Sequence, residues 1–483
     1  MRHVLANLAF ASTTLAGCSL LYNPNDLPKQ ADAMPDMQMV VDANPAALAI
    51  TSVAPIALIE GQGDGGSRKP VIVIEGTDIA QSGVTVEIVA SPGATKVPMI
   101  TVDAASQEVD AYGHHIALTV TALVDPDLGA TDVIPLDVKV TQDAGGVPVS
   151  QTLSGILTLQ GRAEWENNGA TIPALAEGVN KFSRVNLTMG AIKGTMGPVL
   201  VEATASINIA AEVKAEFDGT MEAAGPGGNN GGAGAGAVLL TATTGANGEG
   251  EAGGTGVAGA AGTSARAYKG DPQLTTIDKS EKRENASSGG AGGGVPALGV
   301  ISPPGGRGGG GGGTVSFLAG GSVTISNTIS AKGSAGASGT TSGGAGSGGI
   351  ILIRGGGDVT TATLDVGGPG PAGRVRVDAG GVRTVAGSAY QGPTFVNLPA
   401  IINEETPTFE VQGGPSNAMR YIVIRGTDIE GPLDLTVGNN GRASITLQRP
   451  LQQGLNEICL LVDAAPAATY TRNCATVAHI FKE

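Results

Sequence analysis

The stretch that decides the fold is Val199-Leu-Val-Glu-Ala-Thr-Ala-Ser-Ile-Asn-Ile209. Its β-branched apolar residues fall on odd numbers, so they lie on one face of an extended chain, and small residues separate two short strands. The same pattern returns three times, in Val315-Ser-Phe-Leu-Ala-Gly-Gly-Ser-Val-Thr-Ile325, in Ile351-Leu-Ile-Arg-Gly-Gly-Gly-Asp-Val-Thr-Thr361 and, in part, in Val375-Arg-Val-Asp-Ala-Gly-Gly-Val382. The chain therefore contains repeated pairs of strands joined by small-residue turns.

Repeats of this kind predict a stack. The odd-numbered pattern continues through Val213 and Phe217 after the first segment, and through Ile329 after the second. A strand pair that cannot bury its own apolar face must pack on copies of itself. The sequence therefore predicts a parallel β-helix over residues 161–399, in which each coil contributes short strands and tight turns.

Glycine is concentrated in the same region. The chain of 483 residues has 78 glycines, and 50 of them lie between Gly219 and Gly381. They show no sustained Gly-X-Y period, which excludes a collagen triple helix. The glycine-rich stretches 225–262, 289–313 and 333–349 fall between the repeats, so we expect inserts between coils. Both irregular loops and packed polyproline-II strands are compatible with this composition.

The regions on either side are rich in short β-strands. Residues 48–160 contain alternating or apolar runs at 71–74, 84–88, 116–120 and 136–140, and residues 400–483 contain similar runs at 422–424, 445–447 and 458–462. Polar and glycine-containing breaks separate them, which is typical of antiparallel sandwiches. We therefore predict an all-β protein, with a β-sandwich on each side of the repeats.

A shared phrase links the two flanks. Val71-Ile-Val-Ile-Glu-Gly-Thr-Asp-Ile79 and Tyr421-Ile-Val-Ile-Arg-Gly-Thr-Asp-Ile429 agree at seven of nine positions. With the opening Ile50-Thr-Ser-Val-Ala-Pro55, the first copy resembles immunoglobulin-like IPT/TIG modules. The second copy lacks that opening. The resemblance implies immunoglobulin-like folds for both flanks.

The amino terminus resembles that of bacterial lipoproteins. Arg2 precedes a short apolar stretch of the length of a signal-peptide core, so residues 1–17 are expected to be a signal peptide. The sequence Leu15-Ala16-Gly17-Cys18 is similar to a lipobox. This resemblance implies acylation of Cys18, with the lipid bilayer as partner, and Ser19 implies export to the outer membrane of a Gram-negative bacterium, on its periplasmic or its surface side. The proline- and aspartate-rich residues 18–47 are expected to be a disordered tether.

One further expectation follows from that resemblance, and a second resemblance concerns the glycine-rich region. If lipid occupies Cys18, the remaining cysteines, Cys459 and Cys474, form a pair that an oxidising compartment allows to become a disulfide. Residues 180–390 also resemble the glycine-rich β-helical surface lipoproteins of predatory and gliding Gram-negative bacteria. That likeness implies a structural or adhesive role at the cell surface, with a glycan or a protein as ligand.

Charge and composition exclude some functions. A net charge of −15 argues against binding to nucleic acid. We predict no catalytic residues, no metal site and no cofactor, and the oligomeric state stays open. The alternative is a carbohydrate-active β-helix enzyme, a polysaccharide lyase or hydrolase. Its candidate residues are Glu212, Glu216, Arg354, Arg374 and Asp378, although charged residues that alternate with valines, as Arg376 and Asp378 do, are expected on a solvated strand face.

Overall fold

The structure is a computed structural model that describes residues 48–143, 145–167, 178–193, 199–215, 230–235, 241–249, 253–265, 304–413, 419–462 and 473–482. The predicted signal peptide, Leu15, Ala16, Gly17, the acylation site Cys18 and the tether lie outside these residues, as do Glu216 and Phe217. The described chain is all-β, as predicted, and contains parallel sheets. Among the described residues, no helix has the length and apolarity needed to cross a membrane.

Residues 48–160 form the N-terminal module, which has two four-stranded sheets. Its strands are β1 (Ala49–Ala54), β2 (Ala57–Ile59), β3 (Val71–Thr77), β4 (Val84–Ala90), β5 (Ile100–Val109), β6 (His115–Ala122), β7 (Val133–Asp143) and β8 (Pro148–Gln160). The sheet orders are β1-β3-β6-β5 and β2-β8-β7-β4. Alternate side chains of both sheets fill one apolar core that includes Ile72, Leu118 and Leu136. The β-rich runs predicted in this region are all strands.

The described residues between 165 and 386 form what we call the coil stack. Its strands are β9 (Trp165–Glu166), β10 (Val179–Phe182), β11 (Val185–Leu187), β12 (Ala191–Lys193), β13 (Val199–Ala203), β14 (Ile207–Ile209), β15 (Glu212–Lys214), β16 (Thr314–Ala319), β17 (Val323–Ile325), β18 (Ile329–Ser330), β19 (Ile350–Gly355), β20 (Val359–Asp365), β21 (Arg374–Ala379) and β22 (Arg383–Ala386). They form three parallel ladders, β10-β13-β16-β19-β21, β9-β11-β14-β17-β20-β22 and β12-β15-β18-β20. Each of the four coils from β10 to β20 adds one rung to every ladder, and β21 and β22 extend the first two ladders by one rung more.

The register of the stack is the one that the repeat predicts. Val199 pairs with Val315, Val315 pairs with Ile351, and Ile351 pairs with Val375. The odd-numbered apolar residues point inward and are buried, so the predicted face is confirmed for the described positions. An earlier coil, β10 to β12, precedes the first recognised repeat and lies under it.

The glycine-rich segments pack against one another instead of forming irregular loops, where they are described. Residues 230–235, 304–313 and 333–349 lie largely outside strands, yet they are joined by backbone hydrogen bonds such as Gly308 N–H to the Gly232 carbonyl (2.9 Å) and Gly309 N–H to the Gly344 carbonyl (2.8 Å). A Cβ atom built on Gly343 would lie 1.9 Å from the Arg307 carbonyl oxygen, and one built on Gly346 would lie 2.1 Å from the Gly310 carbonyl oxygen. Only glycine allows this approach.

Residues 394–482 contain the C-terminal module. Its strands are β23 (Thr394–Val396), β24 (Ile401–Ile402), β25 (Thr408–Gln412), β26 (Met419–Arg425), β27 (Asp428–Leu435), β28 (Arg442–Thr446), β29 (Gly454–Val462) and β30 (Asn473–His479). The sheet orders are β23-β25-β28 and β24-β30-β29-β26-β27. A disulfide joins Cys459 to Cys474, which face each other on β29 and β30.

The phrase shared by the flanks occupies different places in the two modules. In the N-terminal module the phrase forms β3, which lies between β1 and β6, and the next strand, β4, belongs to the other sheet. In the C-terminal module it begins within β26, which lies between β29 and β27 and turns directly into β27. The two copies are therefore not equivalent strands, and the shared phrase does not relate the two modules.

The two modules contact each other although the coil stack separates them in sequence. Val71 and Val73 on the outer face of β3 pack against Ala478 and Ile480 at the end of the chain. This contact explains why residues 71–74 are apolar without alternation, since both faces of the strand are covered.

We expect Gly349→Ala to destabilise the coil stack by roughly 1–3 kcal/mol or more, because its Cβ would lie 1.9 Å from the Gly313 carbonyl oxygen. Gly129→Ala is the matched control, since the nearest atom to its Cβ is 3.5 Å away, and it should change stability by less than about 1 kcal/mol. Urea unfolding measures the stability of both variants. The signal is the fluorescence of Trp165, the only tryptophan of the chain, which is buried at the base of the stack. Equal midpoints for the two variants would refute the glycine packing.

Candidate functional site

A cleft of about 470 Å³ opens where the coil stack meets both modules. Its floor is a column of turn residues that connect the first ladder to the second, one from each of four coils: Thr204, Gly320, Gly356 and Gly380. One wall comes from the N-terminal module and contains Gln62 and Arg68. The other comes from the C-terminal module and contains Phe395, Asn397 and Asn473.

Glycine forms the floor because the coils stack closely there. A Cβ on Gly356 would lie 2.0 Å from the Gly320 carbonyl oxygen, and a Cβ on Gly380 would lie 2.1 Å from the Gly356 carbonyl oxygen. The small-residue turns recognised in the sequence are therefore required by the register of the strands. They also leave a floor of peptide groups with few side chains, where a ligand could approach the backbone.

Arg68 joins the two walls. Its Nη1 donates to the Leu398 carbonyl and its Nη2 to the Pro399 carbonyl, both at 2.8 Å, and Nη2 also reaches the Thr476 carbonyl at 3.3 Å. Among the described residues, no carboxylate oxygen lies within 4.0 Å of this guanidinium. Burial lowers the pKa of Arg68 to about 10, so the side chain is still charged at neutral pH. In the described part of the chain, the groups that accept hydrogen bonds from this charge are backbone carbonyls.

Arg354, at the inner edge of the cleft, belongs to a buried ion cluster. Its Nη2 lies 3.3 Å from Oδ2 of Asp378, and Nη2 of Arg376 lies 2.8 Å from the same oxygen. The Gly392 N–H donates to Asp378 Oδ1 at 2.6 Å. Burial opposes ionisation of Asp378, but the charges of Arg376 and Arg354 outweigh it and hold the pKa of Asp378 below its ordinary value.

The expectation that Arg376 and Asp378 lie on a solvated strand face is wrong. Both side chains are 0 % exposed, because the chain from Tyr390 to Thr394 returns across the last rung of the ladder. A Cβ on Gly392 would lie 2.2 Å from an Nη atom of Arg376, which places that backbone directly on the guanidinium. Alternation within a strand cannot reveal a cover that comes from elsewhere in the chain.

The residues predicted for a carbohydrate-active enzyme are divided by the structure. Arg354 and Asp378 form an ion pair in the buried cluster. Glu212 lies on β15 in the third ladder, where it contacts Lys214 at 3.3 Å. Arg374 begins β21, at the opposite end of that strand from Asp378, and donates to the Gly373 carbonyl. Glu216 lies outside the described residues, so the described members form no pair of carboxylates around a groove.

A group with the outline of a metal site lies beside the cleft. One ligand atom each from Glu457, Cys459 and Cys474 lies within 4.8 Å of the other two. Because the two sulfur atoms form a disulfide, they offer no thiolate to a metal ion.

Most residues that line the cleft could not be predicted from the sequence. Arg68, Phe395, Asn397 and Asn473 belong to loops or short strands of the modules, and no pattern in the chain links them. The column of turn residues was visible as the Gly-Gly repeat, but its role as a floor depends on how the modules dock. Comparison of the chain with known protein families, with characterised proteins and with solved structures gave no match.

We expect Asp378→Asn to lower the free energy of unfolding by about 3–5 kcal/mol at neutral pH, since two buried guanidinium groups would lose their carboxylate. Because the pKa of Asp378 is depressed in the folded state, its stabilisation is present above the ordinary aspartate pKa and is lost as the pH falls below about 4. The difference between wild type and variant should therefore shrink on acidification, as measured by urea unfolding.

The matched control is Asp434→Asn, which removes an exposed carboxylate paired with Arg420. Its effect should stay below about 1 kcal/mol. A neutral-pH difference as small for Asp378→Asn as for this control would contradict the buried cluster.

Proposed function

We propose that this chain is an exported lipoprotein, anchored through acylated Cys18 in the outer membrane of a Gram-negative bacterium. Support comes from the lipobox-like Leu15-Ala16-Gly17-Cys18 and from the cysteine count, since Cys459 and Cys474 pair with each other and leave Cys18 for lipid. A disulfide of this kind suits an exported protein, because oxidising compartments preserve it. Several acyl chains on Cys18 would make the anchor stable, where one alone is marginal.

The proposed architecture is a parallel β-helix between two immunoglobulin-like modules. The three parallel ladders of the coil stack, which four successive coils extend together, support the first part. The sheet orders of both modules support the second. In the N-terminal module, the order β1-β3-β6-β5 corresponds to the immunoglobulin strands ABED, and β8-β7-β4 corresponds to GFC. In the C-terminal module, β23-β25-β28 corresponds to ABE, and β30-β29-β26-β27 corresponds to GFCC′.

The proposed role is structural or adhesive, with a cell-surface glycan or protein as ligand. The observation that carries it is the cleft, where three β modules together form one concave site with polar walls and a floor of peptide groups. Binding sites favour such junctions between domains. The alternative of a polysaccharide lyase or hydrolase draws no support from the described residues, since Asp378 is fixed by two arginines and Glu212 lies on another ladder.

The anchor is tested by labelling. In a Gram-negative host, the wild-type chain should incorporate radioactive palmitate and fractionate with the outer membrane, and Cys18→Ser should do neither. Ser19→Asp is the informative control, because the lipoprotein resemblance implies that an acidic residue after the cysteine retains the protein in the inner membrane. Palmitate labelling that persists in Cys18→Ser would refute the anchor.

The binding role is tested with the full acylated chain in detergent. It should bind isolated cell-envelope polysaccharide or surface protein, and Thr204→Trp, which places a large side chain on the cleft floor, should weaken that binding at least tenfold. Binding that is unchanged in Thr204→Trp would show that the cleft is not the site.

A further inference from the structure

We propose that the cleft binds an acidic saccharide, with the ligand's carboxylate near Arg68 and Arg354 and a sugar ring against Phe395. This rests on the proposed binding function and adds the chemical class of the ligand. The three observations that carry it are the sign of the charge around the cleft, the hydrogen-bonding groups that its walls leave free, and its aromatic side chain.

The charge around the cleft is positive in a chain that is strongly acidic. Arg68 and Arg354 line the cleft, and no aspartate or glutamate is among its described lining residues. Behind Arg354, Arg376 and Asp378 complete the ion cluster, so two guanidinium groups share one carboxylate. The whole chain has a net charge of −15. A positively charged site attracts anions even when the protein as a whole is acidic.

Arg68 has capacity left for a ligand. Three of the five N–H groups that a guanidinium carries are used by the Leu398, Pro399 and Thr476 carbonyls. Its Nε is buried and makes no hydrogen bond to any of the described residues. A guanidinium without an acidic partner is the group that a planar carboxylate binds best, since the two match in geometry. A ligand carboxylate would supply the counter-charge that this part of the protein lacks.

The remaining walls favour a sugar over a simple anion. The Asn397 side-chain amide has no hydrogen-bond partner among the described residues. Asn473 contributes a second amide, whose Nδ2 also donates to the Pro393 carbonyl at 3.3 Å. Amides both donate and accept hydrogen bonds, as pairs of sugar hydroxyls require. Phe395 offers an apolar surface on which the C–H face of a sugar ring can pack, and its own position is set by Phe409, at a centroid distance of 6.0 Å.

The test uses labelled trigalacturonate and its methyl ester, which has the same size without the charge. By fluorescence anisotropy, the full acylated chain should bind the acid at least tenfold more tightly than the ester. Added salt should weaken the binding of the acid and leave that of the ester unchanged. Equal affinity for acid and ester would overturn the acidic preference, while the binding role would still stand on the polysaccharide experiment.

Variants locate the site. Arg68→Gln should lose at least tenfold in affinity for the acid. Arg442→Gln, which removes an exposed arginine of another surface, should stay within twofold. Because Arg68→Gln also removes contacts between the modules, Thr204→Trp provides an independent block that leaves both arginines in place, and it too should lose at least tenfold. Retention of full affinity in Thr204→Trp, or an equal loss in Arg442→Gln, would overturn the proposal.

Discussion

The in-register parallel pairing of the coil stack is the interaction on which the rest of the structure depends. Val201, Phe317, Ile353 and Val377 stand above one another on successive rungs, and each is buried in the same core. A shift of one residue would turn every one of these side chains outward, so the register is strongly specified. Once it is set, the turns of successive coils must also coincide, and their backbones come into contact.

That contact determines where glycine is needed. At the turn between the first two ladders, Gly320, Gly356 and Gly380 stack with no space for a Cβ, and the segments that return to the first ladder meet at Gly349 and Gly373 in the same way. Glycine normally costs conformational entropy on folding, so its abundance argues against order when composition is considered alone. In this protein the stacking of the coils opposes that cost, because close approach allows backbone hydrogen bonds between neighbouring coils, such as Gly356 N–H to the Ala319 carbonyl and Gly380 N–H to the Gly355 carbonyl.

The parts of the structure that could be predicted from sequence are those set by local alternation. The pairing of Val199 with Val315 and of Val315 with Ile351 follows from residue parity and repeat spacing. The burial of Arg376 and Asp378 could not be predicted, because their cover is a segment that follows the last coil and has no periodic pattern. Arg68 was missed for a similar reason, since its partners are carbonyl groups some 330 to 410 residues later in the chain.

The C-terminal module links the end of the stack to the cleft. A parallel ladder leaves an unpaired edge at its last strand, which is a hazard for aggregation. Here Tyr390 pairs with the backbone of that strand, and Thr394 and Gln412 donate to the Ala379 carbonyl at its end. The segment that covers this edge continues into Phe395 and Asn397, which line the cleft. The same segment thus ends the stack and contributes to one wall of the cleft, so the capping of the last coil also fixes the position of that wall.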